Sequence, residues 1–333
     1  MKIGKIIKYI ISIGIAVLLL YYSFKGIGWE SFLSGVASCN FGFIFLAMVA
    51  SIAAFFFRSQ RWRILIRPFD STMDSLTTFN GVNIGYLANF VFPRIGEIVR
   101  CGFLSRRSRS RHEQDPDGAV SFDKAIGTVL LSRTWDVLVV LILLSVLLVA
   151  RWDKFGSFFV NRMWEPLQSR FDISAGWMAA VGVVIVAAAA AVVFAFRRRS
   201  RLCSGIIDFA KGILRGFKSF LHMEDKAGFV IYTVLLWAMY WLMSRSILWA
   251  MPQMSGMTWV DAWFVTLAGS VAWMVPVPGG FGAYHGMVAL ALSCVYGLDW
   301  DSGLICATLN HESQAITMLL CGTLSYIIEI FRK

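Results

Sequence analysis

Charge is scarce in this sequence: 15% of its 333 residues are Asp, Glu, Lys or Arg, and acids are outnumbered 20 to 31. Catalytic signatures are missing too. There is no Gly-x-x-x-x-Gly-Lys-[Ser/Thr], no Gly-x-Ser-x-Gly and no His-Glu-x-x-His, so ATP hydrolysis, serine hydrolysis and zinc proteolysis have no support. The six cysteines, at 39, 101, 203, 294, 306 and 321, form no Cys-x-x-Cys pair and mostly sit in apolar sequence. That pattern indicates neither a disulfide framework nor a metal cluster, and no cofactor is expected.

What is abundant is apolar side chain. A hydrophobic share of 58% and a mean hydropathy of +0.67 exceed what one soluble core can hide, so the chain reads as a polytopic membrane protein. Runs at 9–24, 41–57, 126–150, 174–196, 228–250 and 303–328 each approach the roughly 20 residues that cross a bilayer as helix. Runs of this length also exclude an outer-membrane barrel. Residues 1–333 form a single all-α membrane domain in this reading, with about six full spans plus two broken ones.

The net charge of +11 could suggest nucleic acid, but the basic residues fall in short blocks at helix ends with no nucleic-acid motif. They read as topology. Most Lys and Arg lie in Lys2 to Lys8, Arg58 to Arg67, Arg94 to Lys124, Arg197 to Lys226, and Arg332-Lys333, which places these segments and both termini on the cytoplasmic side of the cytoplasmic membrane. The cytoplasmic segments are then 58–67, 105–124 and 197–226. Within the last, apolar residues recur at helical spacing over 203–220 opposite Lys211, Arg215 and Lys218, as in an interfacial amphipathic helix. The hydrophilic stretch 105–118 reads as a solvated loop. The first run, followed by Phe24-Lys25-Gly26, reads as a retained anchor and not a cleaved leader.

Parity then forces two re-entrant elements. The run 75–92 lies between two cytoplasmic segments, so it must return through Pro93 and Gly96 to the side it left. The run 259–297 must do the same from the outer side, through Val275-Pro276-Val277-Pro278-Gly279-Gly280-Phe281-Gly282. Pro276-x-x-Gly279 repeats Pro93-x-x-Gly96. Two broken apolar segments entering from opposite faces read as an inverted repeat, the sequence pointer to a midplane binding site in transporter folds.

Several polar residues fall within these spans. Arg94, Glu97 and Arg100 recur every third position and would line one helical stripe fit for a phosphate, or for an internal salt-bridge network. Asn80, Asn83 and Asn89 offer donors and acceptors to freed backbone or to substrate. Arg133 and Asp136, three apart, face the same way on their helix, either as a packing pair or as a head-group contact. Gly279, Gly280 and Gly282 permit close backbone approach, while His285, His311 and Glu312 are the remaining protonatable groups, as core hydrogen-bonders or a proton relay. Asp299-Trp-Asp301 reads as a cap at Asp301 or Ser302.

Together, Arg61-Trp62, Gly85-x-x-x-Asn89-x-x-x-Pro93-Arg94-x-Gly96-Glu97-x-x-Arg100, Arg133-x-x-Asp136 and Pro276-x-Pro278-Gly279-Gly280-x-Gly282 resemble the flippase-like membrane domain of lysylphosphatidylglycerol synthases, over nearly the whole chain. The resemblance implies an all-helical protein that moves a phospholipid or lipid-linked head group between leaflets. Two departures stand out. Bifunctional members continue into a soluble aminoacyl-transferase domain, so tRNA-dependent lysine transfer is not expected here. The family usually carries Glu after its Gly-Gly-x-Gly turn, where this chain has His285. The alternatives are a membrane-embedded lipid-modifying transferase using Glu97 or His311 as base, and a non-catalytic partner of a separate lipid-synthesis enzyme.

Overall fold

A computed structural model describes residues 3–92, 94–113, 118–154 and 223–332. All regular structure among the described residues is helical. In chain order the α-helices are α1 (Ile3–Phe24), α2 (Trp29–Ala37), α3 (Phe41–Ile66), α4 (Ser75–Val91), α5 (Gly96–Arg111) and α6 (Phe122–Ala150), then α7 (Lys226–Ala250), α8 (Trp259–Ala272), α9 (Ala283–Tyr296) and α10 (Trp300–Phe331). Short 3-10 turns occupy Pro252–Met254 and Pro278–Gly280.

Helices α3, α6, α7 and α10 are long and apolar enough to cross a membrane, and α1 with α2 form a fifth apolar pair bent by 87°. The protein is an all-helical membrane protein. The expected span at 174–196, the amphipathic helix 203–220 and Pro93 lie outside the described residues. The chain divides into two compact units, residues 1–132 with 225–333, and residues 133–224. The second unit contributes the described part of α6 from Arg133 onward.

Local chemistry sets the helix starts in the first unit. Side-chain oxygens of Asn40, Asp74 and Asp225 accept backbone N–H groups that would otherwise be orphaned at the starts of α3, α4 and α7. Thr258 and Asp261 form a reciprocal capping box at α8. At α10 the cap is Asp299, whose carboxylate accepts from Ser302 N at 2.8 Å, in place of the cap expected at Asp301 or Ser302.

Stretch 105–118 also differs from expectation, because α5 continues to Arg111. Its polar residues are helical since they have partners to meet: Ser108 is buried and donates to Asp70 at 2.6 Å, and Arg111 donates to Asp74 at 2.6 Å.

Contacts at the helix ends order the bundle. At one end Asn40 N donates to Ala250 O, joining the start of α3 to the end of α7, and Trp300 Nε1 donates to Ser23 O, joining α10 to α1. At the other end Arg332, after α10, meets Thr77 and Asp74 at the start of α4. Helices α3, α4 and α10 therefore run with fixed polarity, and the pair α4–α5 enters from the end opposite to the one where α8 begins.

Candidate functional site

Each broken run folds back as a helical pair. The first turns between the end of α4 and the start of α5, and the two helices then cross at a point where two glycines replace side chains. A Cβ on Gly96 would lie 2.1 Å from Gly85 O, and one on Gly85 would lie 2.9 Å from Gly96 O. Neither can carry a side chain while the backbones stay this close. Asn89 Oδ1 accepts Gly96 N at 2.7 Å, so this amide caps the start of α5.

The second pair breaks at 273–282. Gly279, Gly280 and Gly282 all have positive φ, and α9 begins only at Ala283. Its turn is anchored from both sides. Ser12, midway along α1, donates to Pro276 O at 2.7 Å, and His311, a third of the way along α10, holds Gly279 O at 2.8 Å. The break therefore sits beside the middle of the bundle.

The two breaks meet. Arg94, exposed and held at φ 60, donates through its guanidinium to Met274 O, and Phe90 packs edge-on against Phe281 with ring centroids 6.1 Å apart. A bulky residue in the left-handed region costs on the order of 1–2 kcal/mol. Because α5 starts at Gly96, Arg94 precedes it, and only Glu97 and Arg100 share its first turns.

One buried cation follows the first break and two more lie along α3. Arg100 is 5% exposed and lies over the Trp62 ring, 5.0 Å from its centroid. Arg61 is fully buried, donating to Ser132 Oγ at 2.8 Å and lying over Phe229. Arg58 donates through Nε and Nη2 to Tyr240 Oη at 3.1 and 2.8 Å. Trp62 Nε1 donates to Thr128 at 2.9 Å, so the indole is a fixed platform between α3 and α6. In the sequence, Arg58 stands only as part of a cytoplasmic block and Arg61 only as part of a family motif. Their spacing of three, matched to the aromatic-rich faces of α3 and α7, is the signal that could have singled them out.

Asn83 is fully buried on α4, and its amide has no hydrogen-bond partner among the described residues. Asn80 instead donates to Glu329 at 2.7 Å. Arg133 is exposed and Asp136 half-buried on α6, in the second unit.

His285, His311 and Glu312 converge although the sequence separates them. Glu312 Oε1 lies 2.9 Å from His311 Nδ1 and 3.4 Å from His285 Nε2. Trp273, Phe281 and Tyr284 wall in the His311 ring, with centroids at 5.6, 5.0 and 5.3 Å.

A polar clasp that no local motif signals closes one end of the bundle. Asp74 receives Arg111 at 2.6 Å and Arg332 at 2.5 Å, while Glu329 receives Asn80 and Arg332. Asp70 receives Ser108 and Thr72 and faces His112 at 3.2 Å. Burial alone would raise the pKa of Asp74, but hydrogen bonds from Thr77, Arg332 and Arg111 override it and hold the carboxyl well below its usual range. Asp70 is likewise lowered: burial pushes it up, but hydrogen bonds led by Ser108 and Thr72 outweigh that push.

A groove of about 590 Å³ between α3 and α4, lined by Val49, Ile52, Phe56, Leu76 and Phe79, is almost wholly apolar. Its chemistry suits hydrocarbon and not a head group.

Fold and site together define a polytopic helical membrane protein in which two broken helical pairs meet at their breaks. The chain belongs to the lysylphosphatidylglycerol synthase TM region family, which matches residues 9–322. Membership implies a membrane lipid-related function. Neither a curated protein nor a solved structure matches the chain.

Proposed function

We propose that this protein moves a phospholipid or lipid-linked head group between the leaflets of the cytoplasmic membrane, with both termini cytoplasmic. The observation that carries the reading is the meeting of the two breaks, through Arg94 and Met274 and through Phe90 and Phe281, beside the middle of the bundle. In lipid, non-helical backbone is tolerated only where protein or a water-filled cavity surrounds it, and two apposed breaks are the place in this fold where a head group's crossing is proposed.

The cargo chemistry follows from the cations. Guanidinium groups bind phosphate oxygens through paired N–H donors. Arg100 and Arg94 flank the first break, Arg58 and Arg61 extend the positive field along α3, and the amide of Asn83 offers a further donor and acceptor. Acyl chains stay in the bilayer beside apolar surfaces such as the groove between α3 and α4.

A phospholipid carrying a photoreactive head group tests the path. Irradiation in proteoliposomes should label peptides containing 89–100 and 273–282, and Arg100→Ala should reduce that labelling. Label confined to peptides remote from both breaks would contradict the reading.

A further inference from the structure

We propose that His285, His311 and Glu312 form a binding site for one divalent transition-metal cation of the Zn²⁺ class. The site lies against the second break, and its metal chemistry does not depend on what the protein transports.

Hydrogen positions fix the tautomer. Gly279 O can only accept, so His311 Nε2, 2.8 Å away, must carry a hydrogen and donate it. In the neutral ring the lone pair then sits on Nδ1, and Nδ1 faces Glu312 Oε1, also an acceptor, at 2.9 Å. Two acceptors pointed at each other require a cation between them. A third donor converges on the same place: His285 Nε2 is 3.4 Å from the same carboxylate oxygen, and the three donor atoms all lie within 4.8 Å of one another.

One shared proton on the His311–Glu312 pair, with His285 Nε2–H donating to the same carboxylate oxygen, is the metal-free arrangement. A metal ion uses all three donors. Donors about 2.1 Å from a tetrahedral ion stand roughly 3.4 Å apart, so these atoms need only small shifts. The backbone carbonyl on the far side of His311 is the outer partner that fixes tautomer and ring orientation in metal-bound histidines.

Surroundings agree with this. His311 is fully buried and His285 is 2% exposed, with rings held by Trp273, Phe281, Tyr284 and Phe24, so the ligands are preset. Glu312 is 37% exposed, which leaves an approach for the ion and a fourth ligand. Two imidazoles and one carboxylate favour Zn²⁺, Co²⁺ or Ni²⁺ over Mg²⁺ and Ca²⁺, which take oxygen ligands. Bound metal would tie the first turn of α9 and the second break to α10. The sequence has no metal spacing here because the ligands come from two helices.

The test uses full-length protein purified without a polyhistidine tag, stripped with chelator and titrated with Zn²⁺ and Co²⁺. Wild type should take up one metal per chain, with the intense visible absorption of tetrahedral Co²⁺ that Zn²⁺ displaces. His311→Ala and the isosteric Glu312→Gln should each weaken Zn²⁺ binding by at least ~10-fold. His112→Ala, at the clasp facing Asp70, should bind like wild type. Wild-type uptake well below one metal, a Co²⁺ spectrum of octahedral type, or unchanged affinity in folded Glu312→Gln would each overturn the site. The wild-type titration decides even if His311→Ala does not fold.

Discussion

Asp74 does several jobs at once: it caps α4 and receives the two guanidinium groups that bring α5 and the end of α10 to the same point. Loss of an N-cap costs about 1 kcal/mol, whereas ion pairs at a carboxylate 38% exposed add little in water. Asp74→Ala should therefore lower stability by about 1–2 kcal/mol, read as a lower Tm in detergent. The pH dependence has a definite sign. The folded-state pKa values of Asp70 and Asp74 lie below their unfolded values, so the stability they contribute is present above the usual carboxylate range and lost as pH falls below about 4. Asp74→Asn should flatten the acid limb of a Tm-against-pH curve, and an unchanged limb would assign it to other groups. None of these partners was legible in the sequence, because Asp74 and Arg332 stand 258 positions apart and neither lies in a periodic pattern.

Helices α4 and α5 are held together by an absence of side chains. The Cβ distances rank the glycines: Gly96→Ala, meeting Gly85 O at 2.1 Å, must push the pair apart, while Gly85→Ala, at 2.9 Å, needs a smaller shift. Overpacking of this kind costs about 1–3 kcal/mol, so Tm should fall more for Gly96→Ala than for Gly85→Ala. Gly127→Ala, with nothing within 4 Å, should be neutral or slightly stabilising because Ala favours helix. Equal effects at Gly96 and Gly127 would contradict the close crossing. At this scale the sequence was informative. Pro and Gly interrupting an apolar run located both breaks, and hydropathy located α3, α6, α7 and α10. It did not reveal that Asn89 caps Gly96, that Arg94 leaves the helical stripe to reach Met274, or that α5 continues through its serines and arginines to Arg111. The last two depend on partners from elsewhere in the chain, and the first on how the turn between α4 and α5 folds.

Across the first unit, the two broken pairs enter from opposite ends and touch beside the middle of α1 and α10. Topological parity anticipates that each pair returns to the side it left, but not that the two touch, since charge counting assigns sides and carries no distance. The contact makes lipid translocation the central claim, and a proteoliposome assay with head-group-labelled phospholipid tests it most directly. Label in one leaflet is followed with wild type, Arg94→Ala and empty liposomes. In this account Arg94 holds the crossing phosphate, and loss of one charge-assisted hydrogen bond to it is worth about 1.5–3 kcal/mol, so the variant should move lipid roughly 10-fold or more slowly than wild type. If folded wild type exchanges no phosphate-bearing lipid faster than empty liposomes, or Arg94→Ala matches it, the account is wrong.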